Sequence, residues 1–144
     1  MEIREAKAEL KEYADNKRYI ERKQQDLEIL TERINKVTAS YSDMPKGGAS
    51  SREDLIAKKL DLEKELYGYL ITLVEQKKLV ETTIQSLETR YRNILDFLYI
   101  GEPDEEQEKR NNTLVEYAAQ EKLSYRQATR LLKDAHKAYA EARS

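Results

Sequence analysis

The sequence predicts an all-α chain: a long antiparallel helical hairpin of coiled-coil character, followed by a small C-terminal helix-turn-helix. Three observations carry this expectation. Only four Gly and two Pro occur in 144 residues, while 38% are charged and 39% apolar, a balance that suits amphipathic helices better than sheets. Apolar residues recur every seven positions in two long stretches separated by a loop bearing Gly and Pro. In the last third, two apolar-periodic segments stand on either side of a short break.

From Ile3 to about Val37 no Gly or Pro intervenes, and Ala6, Tyr13, Ile20, Leu27 and Ile34 repeat at sevens with Leu10, Leu30 and Val37 flanking. Lys17 and Gln24 stand where the flanking stripe wants apolar residues, so the seam is weakest in its middle. A helix of this composition is marginal alone and needs a partner. Glu2, Glu5, Glu9, Arg18, Arg22 and Lys23 read as a solvated face, its ion pairs each contributing roughly a few tenths of a kcal/mol.

The stretch 38–51 holds Pro45, Gly47 and Gly48 among small polar residues and reads as a loop. Ser50 with Glu53 forms a capping-box pattern that starts a second helix, expected from Arg52 to about Tyr99. Its stripe is Leu66, Leu73, Val80, Leu87 and Ile94, with Leu70, Ile84, Tyr91 and Leu98 adjacent. Being longer than the first, this helix is expected to leave Arg90 to Ile100 unpaired. Between Leu66 and Val74 it is apolar on nearly every side, more than one partner helix can bury. Leu66, Tyr67, Tyr69, Leu70, Ile71, Leu73 and Val74 are therefore candidates for self-association. Intramolecular packing, with the Tyr67 and Tyr69 hydroxyls left in water, is the alternative. Gly68 costs about 1 kcal/mol inside a helix relative to Ala, which close approach of another helix would offset.

Near the C-terminus, Ser124 and Gln127 form another capping box, marking the start of a final helix. Ala128, Leu131, Leu132 and Ala135 give it an inward stripe. Tyr125, Arg126, Gln127, Thr129, Arg130 and Lys133 lie on the outer side. Arg126, Arg130, Lys133 and Lys137 stand there against one acid, Asp134, so this helix can attract phosphates although the chain carries a net charge of −2. Tyr125, Arg126, Gln127 and Arg130 have the chemistry to reach base edges in a major groove, Arg suiting guanine and Gln adenine. Thr129, Lys133 and Lys137 suit phosphates. The single histidine, His136, is expected at the surface or on the phosphate side.

Composition narrows the function classes. No cysteine is present, so disulfides and thiolate metal sites are excluded. The charged N-terminus does not resemble a signal peptide, and no apolar run approaches the roughly 20 residues of a membrane span. A cytoplasmic protein is the expectation. No carboxylate pair, activated nucleophile, metal cluster or phosphate-binding loop is recognisable, so neither an enzyme activity, a cofactor, a metal nor a small-molecule substrate is expected.

From Arg90 to Ala135 the chain resembles the sigma-factor region 4 type of helix-turn-helix, in which an Arg-rich helix ending in a Tyr-Ile-Gly turn precedes the DNA-binding pair. The residues carrying this are Arg90-Tyr91-Arg92-Asn93-Ile94-Leu95-Asp96-Phe97-Leu98-Tyr99-Ile100-Gly101. The upstream hairpin with its Tyr41-Ser42-Asp43-Met44-Pro45-Lys46-Gly47 run resembles the small phage and prophage transcription regulators of the ArpU and RinA kind. The resemblance implies a coiled-coil oligomerisation hairpin over 1–89 and a region 4-like module over 90–144, with an acidic insertion at 102–112. It implies regulation of phage late genes in a bacterial host with double-stranded DNA as partner and permits contact with RNA polymerase, while further copies of the chain are expected from the apolar stretch at 66–74. A non-enzymatic coiled-coil scaffold or polymerase adaptor is the alternative. Two departures stand out. The turn between the paired helices usually carries Gly but here has Lys122, so a strained or differently shaped turn is expected. The insertion, with Asp104, Glu105, Glu106 and Glu108, is either a solvated linker or a screen over the basic helix.

Overall fold

A computed structural model describes residues 1–39, 47–101 and 112–144. Among them the chain forms α1 (Ile3–Ala39), α2 (Gly47–Gln85), α3 (Thr89–Leu95), a π-helical turn (Asp96–Ile100), α4 (Leu114–Gln120) and α5 (Tyr125–Arg143), with no strand. The all-α class holds. No helix among the described residues is long and apolar enough to cross a membrane.

Two boundaries differ from the sequence expectation. The first concerns the loop at 38–51, since α1 continues to Ala39 and α2 already begins at Gly47. Ser50 thus falls inside the helix it was expected to open, a difference of one turn. The rest of that loop, including Pro45, lies outside the described residues. The second is larger: α2 stops at Gln85 instead of running to Tyr99. Hydroxyl side chains accompany the stop. Thr83 Oγ1 donates to the Leu79 carbonyl at 2.7 Å and Ser86 Oγ to the Thr83 carbonyl at 2.6 Å. The backbone meanwhile tightens into i→i−3 bonds, Ser86 N–H to Thr83 and Leu87 N–H to Ile84. Such hydroxyl groups compete for helix carbonyls, and Glu88 then adopts an extended conformation and α3 starts afresh.

The described residues divide into two compact units, one of residues 1–18 with 73–144 and the other of residues 19–72. The first contains a many-sided core. Ala6, Leu10 and Tyr13 of α1 meet Val80 and Ile84 of α2, Ile94 and Leu95 of α3, Leu98 of the π turn, Tyr117 of α4 and Ala135, Tyr139 and Ala140 of α5. Here Arg90 to Ile100 is no unpaired overhang, because the break at Ser86–Glu88 redirects the chain and its Ile94, Leu95 and Leu98 are buried.

The π turn is held at both ends. Gly101 N–H reaches back to the Asp96 carbonyl, and a β-carbon at Gly101 would sit 3.2 Å from that oxygen and 3.4 Å from the Phe97 carbonyl. That close approach explains the glycine. Asn112 Nδ2 donates to the Phe97 carbonyl at 2.9 Å. Lys17 Nζ donates to the Ile100 carbonyl at 2.6 Å, which gives the polar interruption of the α1 stripe a purpose: it satisfies a helix-terminal acceptor.

The second unit is an antiparallel pair of helix segments. Tyr19 packs on Tyr69 with ring centroids 4.8 Å apart and donates its hydroxyl to Glu65 at 2.6 Å. Further along, Ile29 and Leu30 lie beside Leu62, and Val37 lies beside Leu55. Only Ile20 and Leu66 of its described residues are fully buried hydrophobics. Two helices leave each other's flanks open, so Leu27, Leu30, Ile34, Leu55 and Leu62 remain half-buried.

Candidate nucleic-acid interface

The expected site depends on how α4 and α5 begin, join and bury one face. Thr113 opens α4, its hydroxyl oxygen accepting from the Glu116 N–H at 3.3 Å. Ser124 opens α5 with a complete capping box: Ser124 Oγ accepts from the Gln127 N–H at 3.1 Å while Gln127 Oε1 accepts from the Ser124 N–H at 2.9 Å. This reciprocal pair satisfies two N-terminal donors that would otherwise lack partners.

Between the helices, Lys122 adopts φ 56°, the left-handed region that disfavours any residue with a β-carbon. The Leu123 N–H donates to the Ala118 carbonyl at 2.8 Å and the Lys122 N–H to the Ala119 carbonyl at 3.4 Å. That is the bonding of a Schellman C-cap, with Lys122 where Gly is usual. The turn has the ordinary shape and carries the strain expected of its sequence.

α5 is fastened along one side. Ala128 and Ala135 are fully buried as expected, Leu131 and Leu132 pack against the core, and the stripe continues to Tyr139 and Ala140. His136 belongs to it too. It is 2% exposed, and its Nε2 lies 2.8 Å from the Tyr99 hydroxyl. The expectation of a surface or phosphate-side role for His136 is therefore overturned. Burial, with the charge of Lys7 adding to it, holds its imidazole neutral by pushing its pKa from 6.5 down to about 4. Burial likewise pushes Tyr99 up to about 12.

At the far end of α5, Glu9 departs from the solvated face on which it was placed. Its carboxylate accepts from Arg143 Nε at 2.8 Å, from Arg143 Nη2 at 3.1 Å and from the Tyr139 hydroxyl at 2.6 Å. The fork to Arg143 is bidentate and lowers the Glu9 pKa against the opposing effect of burial. Its partners lie some 130 positions away, so no local pattern could have revealed the pair.

What remains outside is the side of α5 away from this core. Tyr125, Arg126, Gln127, Thr129, Arg130, Lys133 and Lys137 are all exposed, with Tyr125 at 61%. At spacings of four, three and four, Arg126, Arg130, Lys133 and Lys137 form one straight stripe about 60° wide. None of the four pairs with an acidic side chain among the described residues. Two neighbours have partners within the helix. Thr129 Oγ1 donates to the Tyr125 carbonyl at 2.8 Å, and Gln127 Oε1 serves the cap, which leaves Nε2 as the outward group of Gln127 while the box is closed. The acidic stretch 102–111, the alternative screen over this stripe, lies outside the described residues.

Of the self-association residues, Leu66 points into the helix pair and is 5% exposed, Leu70 and Leu73 are half-buried, and Tyr69 packs on Tyr19. Tyr67, Ile71 and Val74 are exposed. Among the described residues no group of three His, Asp or Glu side chains is placed to hold a metal ion. Comparison with protein-family models, curated proteins and solved structures finds no match to this chain.

Proposed function

We propose that this chain is a sequence-specific DNA-binding transcription regulator, with α4 and α5 acting as a helix-turn-helix and α5 lying in the major groove. The observation carrying this reading is the cationic stripe Arg126, Arg130, Lys133 and Lys137, exposed on the side of α5 opposite its buried face. A helix that only closed a bundle has no need of four aligned cations. A helix entering a groove needs them, because phosphate neutralisation and counterion release supply most of its affinity. The capped N-terminus presents Tyr125 and Arg126 first, the end that meets base edges when a recognition helix docks. The region 4 resemblance of residues 90–135 supports this placement, and the resemblance of the upstream hairpin to phage and prophage regulators suggests late genes as the setting.

The decisive experiment selects bound fragments from the genome encoding the protein and footprints them. Arg126→Ala and Arg130→Ala should each weaken the selected complex by about 1–3 kcal/mol and relax base preference. Lys133→Ala and Lys137→Ala should weaken all sequences alike and reduce the salt slope by about one unit each. Gel shifts in which the two Arg variants bind like the parent protein reject α5 as the reading helix.

A further inference from the structure

Between Gly47 and Gln85, α2 is a single uninterrupted helix with two apolar faces. One carries Leu66, Leu73 and Val80 inward. The other carries Leu60, Tyr67, Ile71 and Val74 at spacings of seven, four and three, which places them within about 60° of one another on the side away from the first. This outer face is bare: Tyr67 is 69% exposed, Val74 66%, and Leu60 and Ile71 about half. Beside it Gly68 has nothing within 4 Å of where a β-carbon would lie. No contact among the described residues therefore accounts for a residue that weakens a helix interior by about 1 kcal/mol.

The charges flanking this face indicate what covers it. Lys64 and Glu75 lie on one side of the stripe and Glu63 and Lys77 on the other, all exposed. When two antiparallel copies of α2 meet face to face about a two-fold axis at Ile71, like flanks meet like flanks. Ile71 then faces its own symmetry mate and Tyr67 faces the partner's Val74. Glu63 meets the partner's Lys77, while Lys64 lies level with the partner's Lys78 and within a turn of its Glu75. The Glu63–Lys77 pairs, one at each end of the seam, join opposite charges in the same register that aligns the apolar residues, the self-complementarity an isologous interface requires. We propose that α2 is the seam of a homodimer, antiparallel about Ile71, with a second copy of this chain as its occupant. The apolar area agrees in scale, since the exposed parts of Leu60, Tyr67, Ile71 and Val74 amount to roughly half of the ~800 Å² per partner of a standard interface before the flanking side chains are included.

The inference rests on α2 alone and uses no residue of the nucleic-acid reading, so either can fail without the other. Light scattering of the full chain at about 10 µM, where oligomers of ordinary affinity persist, should give twice the 16.9 kDa chain mass. Ile71→Glu should give the monomer mass with unchanged helical circular dichroism. Glu63→Lys should raise the dimer Kd by roughly fivefold to thirtyfold through two repulsive pairs, and Glu63→Lys with Lys77→Glu should restore it. Because the chain has no cysteine, Ile71→Cys should oxidise to a covalent dimer, while Thr72→Cys, off the stripe, should not. A monomeric parent protein, an assembly indifferent to Ile71→Glu, or a double charge reversal that fails to rescue overturns the proposal.

Discussion

The same heptad stripe meets two different fates within α1. In the first unit Ala6, Leu10 and Tyr13 are entirely buried, whereas Leu27, Leu30 and Ile34, continuing the identical repeat in the second, are only half covered. The sequence pattern is indistinguishable in the two places. What differs is the number of elements brought against it: α2, α3, the π turn, α4 and α5 all contribute to the core around the first set, while the second set faces one helix segment. Periodicity selects the face a helix buries, and the count of covering elements sets how deeply it is buried.

The largest effect that tests this contrast is a pair of truncations. Leu10→Ala removes a fully buried side chain from a closed core and should cost about 2–5 kcal/mol. Leu30→Ala removes one already partly in water and should cost roughly 1 kcal/mol. Both belong on an Ile71→Glu background, so that self-association adds nothing to the second. Denaturant midpoints and slopes provide the measurement. Equal losses would mean that the second unit is as closely packed as the first.

A middle-sized effect concerns the one buried histidine. With the His136 pKa held near 4 by burial and near 6.5 when unfolded, the unfolded chain binds a proton between these values that the folded chain refuses. Stability is therefore complete above about pH 6.5 and declines as pH falls from there toward 4. His136→Gln, uncharged throughout, should flatten that part of the stability profile. Since the chain contains one histidine, its imidazole resonances are unambiguous, and an NMR midpoint between pH 6 and 7 would place the ring in water and refute the burial argument.

Legibility followed the range of the interaction. The Ser124–Gln127 box, the inward Ala128 and Ala135 and the left-handed demand at Lys122 are set by residues within a turn of one another, and each was readable. Carried one turn beyond Ala135, the stripe of α5 reaches His136 and Tyr139 at spacings of four and seven from Leu132, so their burial is legible in the sequence. The stop at Ser86 has no Gly or Pro to announce it, only clustered hydroxyls competing for carbonyls. Glu9 with Arg143, and Lys17 with the Ile100 carbonyl, depend on chain segments far apart in sequence, so no window along the chain could contain them. For the cationic stripe of α5, the sequence lists the residues, while their isolation from acidic partners among the described residues requires coordinates.

The smallest effect probes how firmly the core of the first unit dictates a local conformation. Lys122 holds φ 56° although left-handed backbone costs an L-residue about 1–2 kcal/mol. The conformation persists because the alternatives would break the Schellman bonds from Leu123 and Lys122 to Ala118 and Ala119 and shift Leu123 and the buried Ala118 away from their packing. Lys122→Gly removes the strain but adds freedom to the unfolded chain worth about 0.4–1 kcal/mol. A net gain of about 0.5–1 kcal/mol is expected, read as a rise in thermal midpoint. Lys122→Asn, which tolerates the same region, should fall between the two, and Lys122→Val should be destabilising. If Gly instead lowers the midpoint, the strain is absent and the corner between α4 and α5 is set by something other than the core beneath it.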